Sequence, residues 1–151
     1  MRVVQGYLRD NRQDLSNVEF AEKVIEINLM DGVTVAGRID LVRRLDSGET
    51  TIIDLKSTNR AQRESVTEQQ LHIYALGYEE LTGRRADFVE IYNLDDGRRI
   101  PRTVDQEFID EVKHEISGAA AALRANTLPH TPSRAKCRAC DYVRMCSAAM
   151  R

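Results

Sequence analysis

The chain has 151 residues, 42% hydrophobic and 30% charged, the balance of one globular domain able to bury a core, which excludes a disordered chain. No apolar run approaches the ~18 residues of a membrane helix, and MRVVQGYLRD lacks the apolar stretch of a secretion signal, so a cytoplasmic protein with no membrane partner is expected. A net charge of −2 excludes a uniformly basic surface. Three cysteines, an odd number confined to residues 137–146, exclude a secreted disulfide framework.

In chain order, Arg2 to Phe20 is polar and arginine-rich, and its broken apolar pattern predicts a short helix. From Val24 the pattern changes to alternation, with Ile25, Ile27 and Leu29 between polar residues. Asp31-Gly32 then supplies a hairpin turn. Val33 to Leu45 predicts a second strand, Asp46-Ser47-Gly48 a turn, and Thr50 to Thr58 a third strand rich in β-branched residues. Arg60 to Val66 is expected as a polar loop, and Thr67 with Gln70 resembles a capping box opening a helix to about Thr82. Leu71, Tyr74, Ala75 and Tyr78 form its buried stripe, and Gly83 ends it. Ala86 to Asn93 predicts a fourth strand, parallel to the third because a helix separates them. After Asp95-Asp96-Gly97, residues Asp105 to Asn126 predict a long helix. The expected fold is α/β: a mixed four-stranded sheet, an antiparallel meander plus one parallel crossover strand, flanked by helices.

Charge is unevenly spread. From Thr127 to Arg151 five basic residues accompany one acid, Asp141, for a sum of +4 that leaves −6 for the rest. Eighteen of the 22 basic residues are arginines, the side chain best shaped to grip phosphate two-pronged, although a compositional habit accounts for the same count.

The turn centred on Ser47 pairs Asp40 with Asp54, with Cβ atoms ~4.5–5.5 Å apart, an arrangement that like-charge repulsion disfavours. A hard cation held by carboxylate oxygens offsets it, and Mg²⁺, which keeps several waters, suits two carboxylates. Lys56, two residues after Asp54, projects from the same strand face, where its ammonium can hold a water or steady phosphate charge. The competing reading is an exposed cross-strand salt bridge of small value. Apolar neighbours Ile39, Leu41, Ile53 and Leu55 favour a buried sheet instead.

Gly37-Arg38-Ile39-Asp40, Ile53-Asp54-Leu55-Lys56 and Gln70-Leu71-His72-Ile73-Tyr74, in this order, resemble the PD-(D/E)xK nuclease superfamily and its RecB-like branch. The match runs from Glu22 to the C-terminus. The resemblance implies a restriction-endonuclease-like core in residues 1–126 and metal-assisted hydrolysis of DNA phosphodiesters. It implies that Asp40, Asp54 and the Leu55 carbonyl bind Mg²⁺ or Mn²⁺, that Lys56 positions water, and that Gln70 and Tyr74 face the active site and the DNA backbone. Tyr74 is equally well read as a core aromatic. Glu22 stands where relatives often carry a glutamate near the metal.

Cys137, Cys140 and Cys146, in the basic tail 127–151, resemble the C-terminal part of the iron-sulfur staple of RecB-like nucleases, where four thiolates hold a 4Fe-4S cluster. Only three are present, and His72, His114 and His130 all follow the D-x-K strand, whereas relatives carry a cysteine and a histidine upstream. The chain is therefore expected to begin partway into the module, with the cluster absent or incomplete. Zinc on the three thiolates and His130 is the alternative. Together with the stretches Arg84-Arg85-Ala86-Asp87 and Asn93-Leu94-Asp95-Asp96-Gly97, these features most resemble the C-terminal nuclease domain of UvrD/Rep-type superfamily 1 helicases. No G-x-x-x-x-G-K-S/T loop occurs, so any ATP-driven motor domains lie outside these residues. Two other functions stay open: a non-catalytic DNA-binding module with the same fold, and a partner-docking domain with a salt-bridged hairpin. Arg60, Arg63 and the basic tail are the candidate DNA contacts.

Overall fold

The computed structural model describes residues 2–29, 32–57, 64–127 and 129–150. The elements are α1 (Arg2–Asp10), a 3-10 turn at Asp14–Asn17, β1 (Val18–Leu29), β2 (Val33–Arg44), β3 (Thr50–Lys56), α2 (Glu64–Thr82), β4 (Phe88–Asn93), β5 (Arg99–Thr103), α3 (Gln106–Arg124) and α4 (Arg134–Arg138). The chain divides into two compact units, Met1–Ile116 and Ser117–Arg151. No helix among the described residues is long and apolar enough to cross a membrane.

The first unit is built on one sheet of order β1-β2-β3-β4-β5. β1, β2 and β3 form the antiparallel meander, and β3 and β4 run parallel with α2 as the crossover. Leu29 pairs with Val33 at the first hairpin, where Gly32 adopts φ +72°, a left-handed conformation that glycine reaches at no steric cost. The turn into β3 is closed by the Leu45 amide on the Glu49 carbonyl at 2.8 Å. One sheet face carries Ile25, Ile27, Ile39, Val42, Ile52 and Val89 and buries them against α2 and the first half of α3. The other face is met by α1, whose Tyr7 packs edge-on against Tyr92 with centroids 4.8 Å apart.

Three features differ from the sequence expectation. β1 begins at Val18, six residues before the expected Val24, and the short helix expected within Arg2 to Phe20 is α1, Arg2–Asp10. The apolar alternation that marks a strand is broken between Phe20 and Ile25, where Glu22 has a left-handed backbone at φ +52°. A fifth strand, β5, pairs antiparallel with β4. All five of its residues are exposed and it contains Pro101, tolerable only at an edge, so it carries no alternating apolar signal. α2 starts at Glu64, which places Thr67 inside the helix rather than at its cap; the Thr67 side chain lies outside the described residues.

In the second unit Ser133 caps α4, its hydroxyl accepting the Lys136 amide at 3.2 Å. Cys137 is the buried residue of that helix.

Candidate active site

The β2–β3 ladder holds the register expected from the Ser47 turn: Arg44 pairs with Thr50, Arg43 with Thr51, Val42 with Ile52 and Leu41 with Ile53. The next rung would join Asp40 to Asp54, and the backbone ladder stops there. Instead a carboxylate oxygen of Asp40 accepts the Leu55 amide at 2.9 Å. A side chain thus takes the place of a strand's carbonyl, leaving a gap in the sheet between the two aspartates. The N–H and C=O of one strand residue project toward the same neighbour. The Lys56 carbonyl accepts the Leu94 amide just past β4, so the Leu55 carbonyl faces the Asp40 side.

Asp54 is fully buried, 0% exposed, two residues beyond Ile52 on the face that meets α2. The Lys56 ammonium lies 3.0 Å from both carboxylate oxygens and hydrogen-bonds Oδ1. Oδ2 has no hydrogen-bond partner. The same ammonium donates to the Gln70 side-chain carbonyl at 3.0 Å, and the Gln70 amide nitrogen donates to the Tyr74 hydroxyl at 2.5 Å. Gln70 and Tyr74 stand one turn apart on α2 and so share a face. The Tyr74 ring packs over Gly37 of β2, where even a Cβ would make only van der Waals contact with it, at 3.4 Å. Asp40, Asp54, Lys56, Gln70 and Tyr74 are therefore gathered by three elements into one cluster.

Burial pushes the Asp54 carboxyl above the ordinary aspartate range, the Lys56 hydrogen bond and charge pull it down, and the Asp40 charge adds to the rise. Burial likewise raises the Tyr74 phenol; the Gln70 hydrogen bond opposes this, the two aspartates reinforce it, and the Arg38 charge lowers it. Asp54 Oδ2 is thus ion-paired with Lys56 but accepts no hydrogen bond, which leaves its buried lone pairs open to a further positive partner. With the Asp40 carboxylate and the Leu55 carbonyl beside it, it forms an all-oxygen donor set that fits a hard divalent cation.

Glu22 is not brought into this cluster. It is exposed, its carboxylate accepts the Arg38 guanidinium at 2.9 Å, and its backbone is left-handed at φ +52°. Among the described residues no group of three or more His, Cys, Asp or Glu side chains could hold a metal. The cysteines in the second unit are likewise not gathered: Cys137 is buried, Cys140 exposed and Cys146 half-buried. The Cys137 sulfur accepts the Met150 amide at 3.4 Å. Arg60 and Arg63 lie outside the described residues. Two contributors escaped the sequence reading, the left-handed backbone of Glu22 and the bare Gly77, which lets α2 lie against Ile25 of β1. Neither has a motif. Gly77, a glycine inside an apolar helical stripe, was the only visible hint.

Similarity to known proteins agrees with this geometry. Two solved structures superpose on nearly the whole chain. SSO0001 shares 18% identity at a TM-score of 0.55, covering 99% of this chain and 70% of its own. A candidate exonuclease from Eubacterium rectale shares 13% identity at a TM-score of 0.54, covering 97% of this chain and 59% of its own. At these identities the likeness shows the fold. No curated protein matches the chain significantly. The model of the PD-(D/E)XK nuclease superfamily matches residues 1–147. With the mixed sheet flanked by helices and the D-x-K residues clustered where two strands part, the chain belongs to the PD-(D/E)XK nuclease superfamily.

Proposed function

We propose that the chain is a divalent-metal-dependent deoxyribonuclease domain that hydrolyses DNA phosphodiesters. The observation that carries this reading is the fully buried Asp54 carboxylate, whose Oδ2 is ion-paired with Lys56 but accepts no hydrogen bond, beside the Asp40 carboxylate and the Leu55 carbonyl. These three residues would hold Mg²⁺ or Mn²⁺. A cation bound there polarises the scissile phosphate and lowers the pKa of a bound water. The chain's own contribution is positional. Lys56, tied to Asp54 on one side and Gln70 on the other, keeps its ammonium fixed at the gap, where its remaining proton can orient a water or bind a phosphate oxygen. Tyr74 acts through Gln70: by accepting the amide hydrogen it fixes which end of the Gln70 side chain meets the lysine.

The wider setting rests on resemblance. We propose that this domain serves a helicase-nuclease of the UvrD/Rep type in DNA repair or recombination, with the motor domains as its partners and a cytoplasmic location. An iron-sulfur cluster does not fit the chain as it stands, because three ungathered thiols supply one ligand too few. A cluster would require a fourth thiolate from elsewhere.

The test is cleavage of single-stranded and duplex DNA with Mg²⁺ or Mn²⁺. Asp54→Asn and Lys56→Ala are expected to lose about 10²-fold or more in kcat, the scale of removing a charge-stabilising group. Tyr74→Phe is expected to lose less, with Mn²⁺ affinity retained in calorimetric titration. If both former variants cut like the parent, the assignment is wrong. A parent that binds DNA but never cuts it is the non-catalytic module, and one that binds no Mn²⁺ points to the docking domain.

A further inference from the structure

β1 and β2 keep one register from Phe20↔Val42 to Leu29↔Val33, yet one rung within it, Glu22 opposite Asp40, is unpaired. Both strands change face at that rung. In β2, Ile39 and Val42 are each 0% exposed in the same core, although three residues apart, where strict alternation would set them on opposite faces. In β1, Phe20 and Ile25 are five residues apart and both pack on that core. The register does not slip, so no residue is gained or lost; the two strands turn together. β1 also shifts register between Val18 and Phe20, before the face change; the irregularity inside the face change is Glu22. Glu22 is at φ +52°, and the only other non-glycine residue with positive φ among the described residues is Asn126, at the end of α3. A residue leaving extended conformation inside a strand bends it and re-aims the side chains that follow.

What the bend achieves is seen across the rung. Asp40 leaves the ladder, and its carboxylate takes the Leu55 amide. The Glu22 carboxylate is meanwhile engaged by Arg38 at 2.9 Å. We infer that Glu22 is a positioning residue rather than a metal ligand: its left-handed backbone turns Asp40 out of the β-ladder and sets that carboxylate at the gap beside Leu55. This rests on the metal reading of the site only for its consequence; the positioning of Asp40 is a property of the metal-free protein.

Backbone and ligand roles make opposite demands on substitutions. Glycine and asparagine accept the left-handed region and supply no carboxylate, whereas β-branched valine resists it. The measurements are Mn²⁺ calorimetry and hydrogen exchange of the Leu55 amide in metal-free protein. Glu22→Gly and Glu22→Asn are expected to keep Leu55 protected and to bind Mn²⁺ within about threefold of the parent, while Glu22→Val weakens binding by about tenfold or more, as loss of an orienting group does. Its Leu55 amide should exchange at least about tenfold faster, with the fold retained by circular dichroism. The inference is overturned if the glycine and asparagine variants bind Mn²⁺ as weakly as Asp40→Asn, or if the valine variant keeps Leu55 protected. Should valine prevent folding, the glycine and asparagine arms still decide between the two roles. If the parent binds no Mn²⁺, the metal reading falls and Leu55 exchange alone judges the positioning role.

Discussion

Two carboxylates are buried in the same sheet on opposite faces, and they answer to different partners. Asp54 faces α2 and the cluster described above. Glu90 shares the other face with Ile53, its cross-strand neighbour, and is 5% exposed. The Arg99 guanidinium stands 3.5 Å away, yet Oε1 of Glu90 has no hydrogen-bond partner. Burial raises the Glu90 carboxyl, the charges of Arg99 and Arg43 lower it, Asp14 raises it slightly, and the balance is upward. The folded chain therefore takes up this proton more readily than the unfolded one. The stabilisation is fully present below the unfolded value of about 4.3 and is lost as pH rises through the higher folded one. Glu90→Gln keeps the shape without the buried charge. Its advantage over the parent should be near zero at pH 4 and grow toward pH 7, to on the order of 1 kcal/mol, the scale of relieving an unsatisfied buried group. Thermal unfolding of both proteins across that range measures it, and a glutamine variant less stable at pH 7 would show that the arginines outweigh burial. Asp54 was legible in the sequence because a local turn fixes its register. Glu90 was read only as part of ADFVEIYN, since Arg99 on β5 and Arg43 on β2 meet it through the tertiary fold.

Elements were legible where composition or turn chemistry marks them. β2 alternates up to Ile39, β3 is a buried run rich in β-branched residues, a short turn joins them, and the D-x-K motif sits on β3. β1 was cut short because its alternation reverses at Glu22, and β5 went unseen because an exposed edge strand needs no apolar face. The fit of α2 against β1 was also hidden. A Cβ on Gly77 would lie 2.2 Å from the Ile25 Cδ1 and 3.0 Å from its Cβ. The methyl end can rotate away, but the Cβ belongs to the strand. Gly77→Ala is therefore expected to destabilise the protein by roughly 1–3 kcal/mol, despite the ~1 kcal/mol by which alanine favours an exposed helix over glycine. Denaturant unfolding checks the sign. Combining it with Ile25→Ala should recover part of the loss, because the two changes act on one contact. A stabilised Gly77→Ala protein would mean that helix propensity, not close approach, governs this position. The contact matters beyond stability, since α2 carries Gln70 and Tyr74 to the cluster.

Across the whole molecule, formal charge separates by unit: Met1–Ile116 carries −7 and Ser117–Arg151 carries +5. An acidic nuclease unit repels a polyanion except where cations or local arginines intervene, so the basic unit is the part suited to hold the DNA backbone. Its surface has the other ingredient of single-strand binding. Tyr142 is 69% exposed, and a cavity of about 550 Å³ is lined by Arg134, Arg138, Cys137, Val143 and Met150. Guanidinium groups for phosphate and a free aromatic face for a base are the components of a sequence-tolerant contact. Binding can be measured without cleavage in an Asp54→Asn background. There, Arg134→Glu with Arg138→Glu should weaken single-stranded DNA binding and reduce the slope of log affinity against log salt by about 1.4, the contribution of two phosphate contacts at ~0.7 each. Tyr142→Ala should cost about 1–3 kcal/mol at any salt, as lost stacking does. An unchanged slope in the arginine variant would assign the basic charge to solvation alone. An unchanged affinity in the tyrosine variant, with the slope reduced, would leave a purely electrostatic grip.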